Sequence, residues 1–251
     1  MKDTIHYCWL GGLALPYTAE FPQNVERFPS PDNGVTPTAI PPVCVSEKDW
    51  EFYHSQGIER KADLEFSVLA AHFSDSLLPF DRVIIHSVAL RRQDKAYLIC
   101  AASGTGKTTQ ARFLQQLHPG EFGIICGDRP VLEFREKEIV VHPSPWNGKE
   151  DLHGAEAAGL AGIILLERGD ENRIVSVTER EAAFSLYPQF IQTSVEPQNI
   201  RRVVQLEIRA LKAVPLWKLT THEVPDSTKM LYEAVFYSNA ESACCKKEGI
   251  V

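Results

Sequence analysis

The segment Ala101-Ala102-Ser103-Gly104-Thr105-Gly106-Lys107-Thr108 constrains this chain more than any other. It matches the phosphate-loop pattern GxxxxGK[ST], except that Ala101 stands in the place of the first glycine. An apolar strand, AYLICA, leads in, and an amphipathic helix, TQARFLQQL, leads out with Phe113, Leu114 and Leu117 on one face. A glycine-rich turn before a helix arises by chance, but this one has the strand and helix that a phosphate loop requires. Gly104 and Gly106 let backbone N–H groups turn inward, where a Cβ would block phosphate oxygens. Lys107 is a mobile point charge for the β- and γ-phosphates, the Thr108 hydroxyl can ligate Mg²⁺, and the helix start adds its positive dipole end. The expected ligands of residues 103–109 are therefore ATP and Mg²⁺, with Ser103 and Thr109 included in the loop.

Bulk properties narrow the alternatives. The chain has 251 residues, 44% apolar and 24% charged, enough for a self-sufficient core. Its formal net charge of −7 makes nucleic acid a poor partner, while a local nest of amides can still bind a nucleotide. The six cysteines, at positions 8, 44, 100, 126, 244 and 245, have neither metal-site spacing nor disulfide-framework density, so a reducing, cytoplasmic setting is expected. No apolar run is long enough to span a membrane, and residues 7–14 lack the flanks of a signal peptide.

Along the chain, residues 22–42 read as a Pro-rich loop flanked by the strand-like stretches IHYCWL and PVCVS, and residues 60–73 have helical spacing. RVIIHSVAL reads as one strand and forms a hairpin with AYLICA. FGIICGD is a buried strand ending on Asp128, and VLEF with EIVVH makes a second hairpin. Strand-like GIILLER, helical REAAFSLYPQFI, a helix running into VPLWKL, and helical STKMLYEAVFYS follow. The expected organisation is a strand-rich subdomain with a Pro-rich loop over 1–80, a phosphate-loop core over 81–240 and a flexible tail over 241–251.

The strand after a phosphate-loop helix commonly returns beside the loop's own strand. That would bring Asp128 to the metal or to an acceptor hydroxyl, where a carboxylate holds a cation or takes a proton. A turn-capping role is the alternative for Asp128. His86, on the strand before the loop, is a further candidate, and the polar segment HPSPWNGKEDLHG carries Trp146, Lys149 and His153.

The order of His86, SGTGKTT, Asp128-Arg129-Pro130, SPWNGK and LLERGDEN resembles the HPr kinase/phosphorylase superfamily, particularly its shorter HPr-kinase-like serine kinases. That superfamily shares a nucleotide-binding core with ATP-dependent phosphoenolpyruvate carboxykinase. The resemblance covers roughly residues 82–190. It implies a mixed α/β fold, a kinase core with a mixed sheet, and transfer of the ATP γ-phosphoryl to a hydroxyl of serine, a seryl peptide or protein, or a small molecule. It implies that His86 lies near the transferred phosphate, that Trp146, Gly148 and Lys149 lie close to the site, and that Arg168 lines the nucleotide or acceptor side. Relatives often assemble, so a homo-oligomer is an open alternative. Gly127 departs from the pattern, because the family often has two adjacent aspartates there. Asp128 then serves both roles, or catalysis is impaired. The rival readings are a nucleotide-binding regulatory or peptide-binding protein, a carboxykinase-like lyase and a reversible kinase/phosphorylase.

Overall fold

The computed structural model describes residues 4–237, so the expected tail over 241–251, with Cys244 and Cys245, lies outside the described residues. Strands β1 (His6–Leu10) and β2 (Leu13–Tyr17) form a hairpin turned by Gly11 and Gly12, both at positive φ. Three helices follow: α1 (Pro22–Val25), α2 (Glu47–Ser55) and α3 (Ala62–Leu77). The amino-terminal region is thus a hairpin with helices, not the strand-rich unit expected. PVCVS makes a single bridge, Val43 to Tyr17, because Pro41 and Pro42 have no N–H to extend a ladder. Helix α2 was missed although its signal was present. Ser46 and Asp49 form a capping box, each side chain bonding the other's backbone N–H.

The rest is a mixed α/β structure on one nine-stranded sheet. Its elements are β3 (Arg82–Ile84), β4 (Ser87–Arg92), β5 (Lys95–Cys100), α4 (Lys107–Leu117), β6 (Phe122–Cys126), β7 (Val131–Phe134) and β8 (Ile139–His142). Then come β9 (Ala158–Arg168), β10 (Arg173–Ser176), α5 (Glu179–Leu186), α6 (Pro197–Ala213), β11 (Leu216–Thr221), α7 (Val224–Leu231) and a π-helical turn, Tyr232–Tyr237. The strand order is β3-β7-β8-β9-β5-β4-β6, with β11 joined to β9 and β10 to β11. Strands β5 and β11 run parallel to β9, and the other pairings are antiparallel.

Two expectations about this sheet are corrected. Strand β6 does not lie beside β5, because the tight β4–β5 hairpin places β4 on that edge and β6 pairs with β4 instead. RVIIHSVAL is not one strand. It divides at Ile85-His86, where the Ile85 and Ser87 N–H groups donate to Pro130 O and Asp128 O, and the His86 N–H turns the other way to Gln189 O, at 2.7 Å. The β3–β4 segment and the β6–β7 segment therefore form one antiparallel ladder, broken in its middle at His86 and Asp128.

Alternation along the strands buries both faces. Ala89, Leu98, Cys100, Ile163 and Leu165 meet α5 and α6, while Leu90, Ile99, Ile164 and Leu166 meet α4 and α7. Each buried Leu or Ile among them contributes about 1.5–3 kcal/mol. A third cluster joins Tyr17, Phe28, Phe66 and Phe73 of the amino-terminal region to Ile84, Val131 and Trp146. Among the described residues, no helix is long and apolar enough to cross a membrane.

Candidate functional site

Strand β5 ends at Cys100, and the chain turns through Ala101–Gly106 into α4. Gly104 and Gly106 have φ of +77° and +114°, a region that side chains disfavour. Nothing lies within 4 Å of where a Gly104 Cβ would sit, so this glycine is required by the backbone conformation itself. Thr105 bonds back to Ala102 O through its hydroxyl, at 2.9 Å. Helix α4 has no side-chain cap and no acidic residue in its first turn. Its first intrahelical bond runs from Gln110 N–H to Gly106 O, so the amides of Gly106 to Thr109 have no backbone partner among the described residues and face out at the positive dipole end, while Thr105 N–H turns back to Ala102 O. Ser103 and Thr109 are exposed, and the half-buried Thr108 hydroxyl has no partner among the described residues.

Lys107 folds back under this loop. It is only 7% exposed, its Nζ donates to Ala101 O at 2.9 Å, and it lies 3.0 Å from His86 Nε2. Burial lowers its pKa from the ordinary lysine value, and the Asp128 charge partly opposes that shift. On its other side, His86 Nε2 lies 3.3 Å from Asp128 Oδ1. One ring nitrogen thus faces an ammonium and a carboxylate. Unprotonated, it accepts from Lys107; protonated, it donates to Asp128. The Lys107–His86–Asp128 row thus shares one ring nitrogen between an ammonium and a carboxylate, and its protonation decides which neighbour it bonds.

Asp128 is 26% exposed and its second oxygen lies 3.2 Å from Arg129 Nε. Arg129 in turn donates to Ser67 O on α3, which ties the site to the amino-terminal region. The neighbouring Gly127 has no room for a side chain. A Cβ there would sit 2.5 Å from Asn147 O and 3.0 Å from the Leu152 side chain. The place of a second carboxylate is filled by the 147–152 loop. That loop is held against α4 by an Arg112–Glu150 ion pair, and its Gly148, at positive φ, lies against Asp128.

The remaining sequence candidates separate. The Trp146 ring is 3% exposed, packs on Phe28, Phe66 and Phe73, and donates its indole N–H to Phe66 O at 2.7 Å. Its ring is therefore part of the packed wall behind the site, and Trp146 still lines the same cleft as Asp128. Lys149 is exposed at the mouth of a cleft of about 890 Å³ that Asp128, Arg129, Asn147, Phe66 and Arg27 also line. Arg168, at the end of β9, places its guanidinium beside Gly106, on the loop side of the site, with no hydrogen-bond partner among the described residues. Sequence reading missed Arg27, which sits in the Pro-rich stretch where no pattern marks it.

No family model matches the chain, and no curated protein sequence does. Among solved structures, the HPr(Ser) kinase/phosphatase from Coxiella burnetii is 10% identical, with 65% of this chain and 94% of that chain covered, at a TM-score of 0.37. A likeness at that score carries no argument about this site, whose chemistry rests on its own residues.

Proposed function

We propose that this protein is an ATP-dependent phosphotransferase acting on a hydroxyl acceptor. The observation that supports this reading is the Lys107–His86–Asp128 row, spaced at 3.0 and 3.3 Å, at the mouth of an uncapped glycine loop. ATP with Mg²⁺, when bound, supplies the transferable phosphoryl group and its counter-charge. The residues fit that ligand. The amides at the start of α4 suit phosphate oxygens, and the Thr108 hydroxyl, unpartnered among the described residues, and the Asp128 carboxylate suit a hard cation. Lys107 exchanges its carbonyl partners for the phosphoryl oxygens and neutralises charge that develops there. Arg168 stands beside Gly106 to reach the same oxygens. Asp128 orients the acceptor hydroxyl and takes its proton, with His86 stabilising the change through Nε2. Confinement at the 127–147 seam leaves one carboxylate for both tasks.

The test is ATP consumption with mass spectrometry of the products, offering free serine and serine-containing peptides, with wild type beside Asp128→Asn. A phosphorylated product made only by wild type supports the reading. The filled space at Gly127 favours a second reading, a nucleotide-binding sensor without transfer. ATP binding with no phosphorylated product from any acceptor would select it, and absence of ATP binding would overturn both.

A further inference from the structure

Resting on the kinase reading, the cleft beside Asp128 indicates what else the acceptor carries. The protein is acidic overall, at −7, yet this cleft gathers Arg27, Arg129 and Lys149 around its one sheltered carboxylate. The two other carboxylates on its rim face water: the side chains of Asp63 and Asp151 are 94% and 76% exposed. A pair between Arg27 and so exposed a partner as Asp63 is weak. The Arg27 guanidinium is nevertheless held in place, 3.5 Å above the Phe66 ring, and only its Nη1 is hydrogen-bonded among the described residues. Lys149 has no ion-pair partner among the described residues. A neutral hydroxyl needs none of these cations. A cationic acceptor would be repelled by them. A carboxylate would be taken by the planar fork of Arg27 and the point charge of Lys149, and it would approach Asp128 with its own charge neutralised.

We infer that Arg27 and Lys149 form an anion subsite, and that the acceptor is a hydroxyl compound bearing a carboxylate near the reacting oxygen. Arg129, which bridges Asp128 and Ser67 O, is a positioning residue for that arrangement. A free hydroxy-amino acid and a seryl residue flanked by acidic side chains share this chemistry. The cleft adjoins a pocket of about 460 Å³ that shares Arg27, Pro145 and His153 with it, so there is room for either.

The experiment uses the full chain and four probes: L-serine, L-serinamide, acetyl-Glu-Ser-Glu-amide and acetyl-Lys-Ser-Lys-amide. Binding is read by saturation-transfer NMR without nucleotide, and phosphorylation rates are read separately with ATP and Mg²⁺. The carboxylate-bearing member of at least one pair is expected to bind at least ~10-fold tighter than its counterpart, the scale of one charge-assisted contact. Lys149→Met and Arg27→Gln should each erase that preference while ATP affinity stays unchanged. Lys149 is exposed, so its variant keeps the test valid if Arg27→Gln misfolds. Preference for L-serine identifies a free acid, and preference for the Glu-flanked peptide identifies a polypeptide. Equal binding within both pairs, no binding of any probe, or an undiminished preference in Lys149→Met overturns the subsite. Selective binding without transfer would leave the subsite standing and overturn the kinase reading.

Discussion

The two sides of His86 are built on opposite terms. On the loop side, the Ser103 and Thr108 hydroxyls and the first amides of α4 have no partner among the described residues. On the cleft side, the polar groups are mostly tied. Ser144 Oγ donates to Arg129 O, Arg129 N–H to Trp146 O, and the Trp146 indole to Phe66 O. Unsatisfied donors on a preformed loop cost little while water reaches them and become a binding site when a ligand replaces it. Tied groups are the frame that holds the loop's partners in position. The contrast separates residues whose loss should remove activity from residues whose loss should remove structure.

The largest expected effect would break the frame. Trp146→Ala should cost about 3–5 kcal/mol of stability, read from urea unfolding, through its cavity and the stranded Phe66 carbonyl. A loss below about 1 kcal/mol would mean that the cleft side is not architecture. Next, Lys107→Ala should reduce transfer by at least ~10²-fold, and near-normal turnover would sink its assignment. Lys107→Met should leave the thermal midpoint of the ligand-free protein unchanged or higher, because burial that lowers the lysine pKa means that its charge weighs against the folded state. Gly127→Ala should destabilise by about 1–3 kcal/mol through its clash with Asn147 O. Gly127→Asp should bring no gain in transfer; faster turnover would show that the seam can open.

The smallest effect sharpens the comparison from outside the site. Glu207 on α6 is a buried carboxyl whose Oε1 has no partner among the described residues, and burial pushes its pKa up to about 7 against an opposing bond from the Tyr187 backbone. A raised carboxyl pKa contributes stability that is full below about 4.5 and is lost as pH rises through about 7. Glu207→Gln should therefore flatten the thermal midpoint over that window and leave ATP binding alone. A change in ATP binding would mean that this carboxyl, outside the site, couples to the loop.

Much of the core was legible because its signals are local. The phosphate-loop segment carries its glycines, lysine and flanking periodicities within a short stretch, and the β4–β5 and β7–β8 hairpins follow from apolar runs around charged turns. What failed was non-local. Nothing in RVIIHSVAL shows that its middle will be divided between two partners, and nothing in FGIICGD shows that β4 already occupies the edge of β5. Trp146 lines the cleft beside Asp128, yet nothing in SPWNGK shows that its ring is buried. Its burial is set by Phe28, Phe66 and Phe73, far away in sequence. Arg27 was invisible for the same reason, since only the fold brings it opposite Asp128.

The bent ladder has a consequence for the order of events in folding. Its two arms, 82–92 and 122–134, enclose β5, the glycine loop and α4, so the arms cannot zip together until that intervening chain has been brought to its ends. The closure is long-range and slow relative to the local hairpins. Unzipping must likewise release His86 and Asp128 at the midpoint of the ladder before the loop loses its anchors. A ligand clasped by residues 101–109 and Asp128 together would tie the second arm to the chain between the arms, and it should act most strongly on the rate at which the protein comes apart.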